Sequence, residues 1–326
     1  MSNPIQISCI LGIDIAKKTF QCALLKGNKF KHKAFSNNPK GHAALSQWLG
    51  KQGATPAHAC LEATGTYGEE LACYLADAGF TVSIVNPAKI KGFSQCQLQR
   101  LKTDKADAKL IAQYCAAMQP KPWKPTSAHI RHLQALVKRL DQLSGTLNQE
   151  QNRLEVASIV VQPSIHSMIN MIEQQIKDVQ KQIGSHINQH PDLKQRAELL
   201  DSIPGVGPAT RAQVLAFLGE PDRFESAKQC VAFIGLNPKP YTSGTSVNAR
   251  TRISKTGSSA LRRAFYMPAV VAMKHNPVLR DFALRLKQAG KKGKVIVCAI
   301  MRKLVHIIYG VLKSGQTFDA NHKIYA

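Results

Sequence analysis

Four acidic residues stand where solubility alone does not explain a carboxylate. Asp14 closes the apolar run I-L-G-I-D, and Glu62 closes A-C-L-E just before the turn-forming A-T-G-T-Y. Asp104 and Asp107 open a helix-like stretch as D-K-A-D, and their i, i+3 spacing sets both on one face. A carboxylate at the end of a buried strand loses hydration that only a cation restores. Several such groups at one sheet rim repel one another, and a divalent ion is the usual remedy. Mg2+, or Mn2+ in its place, prefers hard oxygen ligands and keeps positions open for phosphate oxygens. A pair of such ions supports in-line phosphoryl transfer. Each acid also has a plain structural explanation: Asp104 can cap its helix, Glu62 the helix after it, and Asp14 can pair with Lys17 or Lys18. Their coincidence in a chain poor in acids favours a metal site of Asp14, Glu62, Asp104 and Asp107.

A second group of residues is suited to phosphate. I-P-G-V-G at 203–207 lies between two amphipathic stretches, where Gly205 and Gly207 can turn backbone N–H groups outward at a helix start, the helix-hairpin-helix pattern of sequence-independent DNA binders. A glycine turn between packed helices is the plainer alternative. From Pro238 to Gly315 the charge is almost one-signed, with Asp281 the only acid. A solvated face normally mixes signs, so Arg250, Arg252, Lys255, Arg262, Arg263, Lys291, Lys292, Lys294, Arg302 and Lys303 read as nucleic-acid contacts. Within this stretch Y-T-S-G-T-S-V-N-A-R-T-R-I-S-K-T-G is rich in hydroxyls. Ser243, beside a glycine, can present its hydroxyl on a loop, and Thr245 and Ser246 compete with it. No histidine lies nearby to take a proton, so by residue type alone this is a phosphate-binding loop.

The elements that must hold these groups follow from pattern. The chain has 326 residues, with 44 Lys and Arg against 20 Asp and Glu, for a formal net charge of +24. Such a surplus repels itself unless a polyanion lies against it, and nucleic acid is the leading candidate. No run approaches about 18 unbroken apolar residues, and the first residues lack the layout of a secretory signal, so membrane and secreted classes are set aside. The eight cysteines form no CxxC pair and sit mostly among aliphatic residues, as small buried groups in a reducing cytoplasm. Residues 1–125 alternate strand-like and helix-like runs, as in a mixed α/β sheet domain. P-K-P-W-K-P ends it, and 126–190 carries the three- and four-residue apolar spacing of a helical hairpin or coiled coil, broken near Gln162–Pro163. Residues 191–326 form a third, basic and mainly helical region.

Taken in order, G-I-D-I-A-K-K, C-L-E-A-T-G-T-Y, K-T-D-K-A-D-A-K, S-I-P-G-V-G, A-F-I-G-L-N-P, S-G-T-S-V-N-A-R-T-R-I-S-K-T-G and L-R-R-A-F-Y-M-P-A resemble the DEDD insertion-sequence transposases of the "IS one-ten" family, relatives of the pilin-gene invertases. The resemblance spans nearly the whole chain. It implies an RNase H-like, RuvC-type α/β domain at 1–125 with Asp14, Glu62, Asp104 and Asp107 as its carboxylates. It implies a coiled-coil linker at 126–190 and a mainly α transposase domain with a helix-hairpin-helix at 191–326. In such enzymes the serine matching Ser243 forms a covalent phosphoserine link to DNA. The resemblance further implies Mg2+, donor and target DNA, an element-encoded noncoding guide (bridge) RNA, a homo-dimer or tetramer, and a cytoplasmic, nucleoid-associated location with no membrane. A Holliday-junction-type endonuclease, using the same acids with water as nucleophile, is the alternative reading. A non-enzymatic nucleic-acid scaffold is a third.

Overall fold

The computed structural model describes residues 9–63, 66–98, 103–243 and 247–321, with the backbone alone for 66, 241–243 and 247–250. The chain divides into two compact units, 1–126 and 127–326.

The first unit is a mixed sheet flanked by helices. Strands β1 (Cys9–Ile15), β2 (Thr19–Lys26) and β3 (Lys29–Ser36) form an antiparallel meander, followed by helix α1 (Pro39–Lys51). Strand β4 (His58–Glu62), α2 (Glu69–Asp77), β5 (Thr81–Val85), α3 (Pro87–Cys96) and α4 (Asp104–Met118) complete it. The strand order is β3-β2-β1-β4-β5, with β4 parallel to both β1 and β5. A five-stranded mixed sheet of this order is compatible with an RNase H-like core. The inner strands are covered on both faces and therefore read as continuous apolar runs, with Leu11, Ile13, Leu24 and Leu61 buried. Strand β3 is one edge, and its lysines at 29, 31 and 33 disfavour pairing of that edge with another chain. Asn38 accepts from the Gly41 amide at 2.9 Å and Pro39 opens α1, the residue types favoured at a helix cap and first turn.

The second unit is mostly helical. Helices α5 (Ala128–Val156) and α6 (Gln162–Gln189) pack on each other as the hairpin expected from the spacing. There follow α7 (Pro191–Asp201), α8 (Pro208–Phe217) and α9 (Ala227–Ile234), then a two-stranded ribbon of β6 (Pro238–Ser243) and β7 (Val247–Ile253). Helices α10 (Ser259–Ala264), α11 (Tyr266–His275), α12 (Pro277–Gln288) and α13 (Gly293–Ser314) close the chain. Helix α13 is long and apolar enough to cross a membrane by length and composition. It buries Ile300, Leu304, Ile307, Ile308 and Val311 in the main core, and Arg302 and Lys303 interrupt it, so it serves as a core helix. Five of the cysteines (9, 22, 60, 115 and 230) are buried as expected; Cys96 is exposed. Cys60 and Cys115 join β4 to α4 by a thiol–thiol hydrogen bond, and that bond, with burial adding to it, raises the Cys60 thiol far above its ordinary range.

Candidate active site

The parallel register of β1 and β4 pairs Gly12 with Cys60 and Ile13 with Leu61, so the next residues along, Asp14 and Glu62, leave the same edge of the sheet. Helix α4 crosses that region and begins with Asp104 and Asp107. The four acids share one electrostatic environment. Burial pushes the Asp14 carboxyl up to about 6, and the charges of Asp107, Asp104 and Glu62 add to that rise. Glu62 is raised in turn, first by burial and then by Asp107. The structural explanations for these acids lose ground. The cap of α4 is Thr103, whose hydroxyl accepts from the Ala106 amide at 3.2 Å, so capping does not account for Asp104. Helix α2 begins after Gly68 with no side-chain cap, so Glu62 does not cap it. Among the described residues no salt bridge joins Asp14 to Lys17 or Lys18.

The donor set, carboxylate oxygens at like-charge range, suits a hard divalent cation. Among the described residues, however, no three acids, histidines or cysteines already stand at ligating distance of one point. The rim is thus a shared negative site.

Two residues that sequence reasoning passed over set the geometry of this rim. A Cβ on Gly12 would lie 2.2 Å from the Ala108 carbonyl and 2.3 Å from the Ala112 nitrogen, both backbone atoms of α4. The absent side chain is what lets the helix, and with it Asp104 and Asp107, press directly on β1. Asn37 ties the two loops that follow the strand-end acids. Its Nδ2 donates to the Ala16 carbonyl at 3.1 Å and to the Tyr67 carbonyl at 3.0 Å. Its Oδ1 faces Nε2 of buried His42 at 3.2 Å. Burial lowers the His42 pKa, consistent with a neutral imidazole that donates to Asn37.

The second unit sorts the expected phosphate contacts into separate groups. Gly205 has a left-handed φ of 103°, and a Cβ there would meet Ala272 of α11 at 2.7 Å. Its place in I-P-G-V-G is therefore required by packing, whereas Gly207 is exposed at the start of α8. Arg262 is held inside the fold, donating to the Ile234 carbonyl at 2.8 Å and the Gly257 carbonyl at 3.1 Å. Arg263 pairs with Asp141 at 3.0 Å. Lys255 is exposed with a left-handed φ of 55°, and Lys291, Lys292 and Lys294 are exposed where α13 begins. Arg252, Arg302 and Lys303 meet in one cavity. Ser243 ends β6, opposite Val247; its side chain and that of Arg250 lie outside the described residues, as do Thr245 and Ser246. The dispersed histidines also gather unexpectedly. His132 stacks on His186 at 4.5 Å, His186 contacts His190 at 4.4 Å, and His190 stacks on His129 at 4.9 Å.

A chain with clustered carboxylates at the rim of an α/β sheet and a separate basic helical unit fits the class of DNA-processing proteins. Comparison with known proteins narrows the class. A transposase profile of the DEDD IS110 type matches residues 11–157, and one described as "Transposase IS116/IS110/IS902 family" matches residues 197–284. The chain is similar to the pilin gene-inverting protein of Moraxella bovis, with 37% identity over 312 residues covering 95% of this chain and 97% of that protein. The pilin gene-inverting protein of Moraxella lacunata matches at the same identity and coverage. The transposase for insertion sequence element IS1111A of Coxiella burnetii is 25% identical, covering 95% of this chain and 91% of its own length. The chain belongs to the IS110/IS116/IS902 family and is a DNA transposase/recombinase.

Proposed function

We propose that this transposase exchanges DNA strands through a covalent phosphoserine link made by Ser243, with Asp14, Glu62, Asp104 and Asp107 holding Mg2+ in a RuvC-type domain. The observation that carries the reading is the carboxylate rim, where burial and three neighbouring charges hold the Asp14 carboxyl at about 6. Bound there, Mg2+ would supply charge compensation for a crowded phosphorus. The four carboxylates orient and bind; the serine Oγ forms the new bond to phosphorus while the bond to a deoxyribose oxygen breaks. The proton lost by the hydroxyl ends on the leaving oxygen. The phosphoester keeps the energy of the broken phosphodiester, so rejoining needs no external source, whereas attack by water would discard it.

The net charge of +24 supports a polyanion load beyond a single duplex, and the family resemblance supports a guide RNA as part of it. Self-association to a dimer or tetramer is supported by the turn between α5 and α6, where Val156, Ile159 and Val160 are 87%, 81% and 86% exposed. The test uses the full chain with its guide RNA, paired DNA substrates and Mg2+, followed by denaturing electrophoresis. A protein–DNA adduct that disappears in Ser243→Ala and in Asp14→Asn is expected. Free nicked ends that persist in Ser243→Ala would overturn the serine chemistry in favour of a Holliday-junction-type endonuclease.

A further inference from the structure

A cavity of about 470 Å³ opens in the second unit between the root of the β6–β7 ribbon, α12 and α13. Its charge is one-signed: Arg252, Arg302 and Lys303 line it with His306, and no acid does. Among the described residues none of these cations has an ion-pair partner, while Asp281, the one acid of this stretch, is engaged with Arg280 at 3.6 Å. Nε2 of His306 is buried without a hydrogen-bond partner. The neighbours confirm the crowding. Burial and Arg285 lower Lys303, and burial with Arg302, Lys303 and Lys228 lowers His306, which keeps its ring neutral and able to accept or donate. Repulsion of this kind is relieved by a bound anion carrying more than one oxygen.

The rest of the wall is not what a bare anion needs. Phe282 and Val295 line the same space, and Val295 is 41% exposed although it is apolar. Arg285 stacks over the Phe282 ring at 5.6 Å, which fixes that ring as a platform. A duplex lying along a protein surface needs only exposed lysines, such as those where α13 begins. A concave, partly open site whose lining combines cations, an aromatic ring and an unsatisfied ring nitrogen suits a phosphate and a planar heterocycle together. A stacked base within a duplex cannot enter such a concavity, so the nucleotide must come from an unpaired position.

We infer that this cavity captures one unstacked nucleotide of a bound strand, its phosphate on Arg252, Arg302 and Lys303 and its base against Phe282 and Val295, with His306 as the polar reader. Ribbon geometry places the capture point relative to the serine loop. Pro238 and Ile253 pair at the ribbon root and Ser243 and Val247 at its tip. Five residues of strand span roughly 17 Å, or about five stacked steps of one DNA strand. The inference goes beyond the strand-transfer reading and does not depend on its chemistry; it needs only that this chain handles nucleic acid.

The test is equilibrium dialysis of the full chain, without metal, against 5′-mononucleotides in deoxy and ribo forms and against inorganic phosphate. At least one mononucleotide should bind tenfold or more tightly than phosphate, and the preferred sugar tells whether the strand is DNA or RNA. Arg302→Gln should weaken mononucleotide and phosphate alike. His306→Phe, which fills the cavity with an apolar ring, should weaken the mononucleotide tenfold and leave phosphate within twofold. Phosphate binding as tightly as every mononucleotide, or a mononucleotide affinity indifferent to both substitutions, would overturn the inference. A circular dichroism melt certifies each variant as folded, and Arg302, half-buried at the cavity wall, is the variant least tied to the core. Ser243→Ala should retain nucleotide binding, so failure of the pocket and failure of the serine chemistry are read in separate experiments.

Discussion

Asp14→Asn should make the metal-free protein more stable while abolishing its activity. Four like charges share the sheet rim, and the Asp14 carboxyl is held at about 6 against an ordinary 3.8, by burial first and then by Asp107, Asp104 and Glu62. At about 1.36 kcal/mol per pH unit the ceiling is about 3 kcal/mol. Asp14 is only half-buried, so solvent screening reduces this to about 1–2 kcal/mol. The sign follows from proton counting. The folded state binds this proton more tightly than the unfolded chain, so stability falls as pH rises from about 4 to about 6. Above about 6 the full cost is present. Asparagine keeps an acceptor for the Ile15 amide and removes the charge. In a thermal melt at pH 7.5 with EDTA the variant should unfold roughly 4–8 °C above the natural chain, for a unit of this size. Below about pH 4 the two melts should converge. Mg2+ should raise the melting temperature of the natural chain and leave the variant nearly unmoved. A variant that melts at or below the natural chain at pH 7.5, with a gap indifferent to pH, would refute the clustered-charge account.

Further outcomes follow from the same geometry. Gly12→Ala should cost about 1–3 kcal/mol by overpacking, because the new methyl meets α4 backbone, and should abolish strand cleavage with every acid still present; melting and a cleavage assay check both parts. Asn37→Ala should cost about 1–3 kcal/mol and lower the cleavage rate with little change in DNA affinity, since it releases the Ala16 and Tyr67 loops without touching the basic unit. In the second unit the pH trend reverses. Burial holds the His186 pKa below its ordinary 6.5, so the unfolded chain takes up that proton first and stability falls as pH drops below about 6.5. His186→Gln should flatten that acid limb in a melt series from pH 7.5 to 5.

The order of elements in the first unit is legible because its inner strands are uninterrupted apolar runs and α4 occupies the stretch D-K-A-D-A-K-L-I-A-Q-Y-C-A-A-M that periodicity marks. Asp14 and Glu62 stand out for a related reason, since a carboxylate at the end of an apolar run has few ordinary duties, and Asp104 and Asp107 stand out by their i, i+3 spacing at a helix start. Helix α3 is not, because only Ile90 of its ten residues is buried and Gly92 interrupts it. The β6–β7 ribbon hides behind Gly, Ser and Thr, which read as loop. Asn37 could not be found from sequence, since its partners are backbone carbonyls 21 and 30 residues away. The histidine stack is invisible for the same reason, as residues 129–132 and 186–190 meet only once α5 and α6 fold together. Gly205 shows the opposite case, where a motif suggests phosphate but contact with Ala272 already requires the glycine.

The hydrogen atom at Gly12 where other residues carry a carbon gives this transposon protein a simple route to extinction. One methyl group beneath the first turns of α4 moves two of the four acids at once, as a lever moves its far end. A copy of the element carrying that lesion would still look intact to anyone inspecting its acidic residues, and it would be unable to jump.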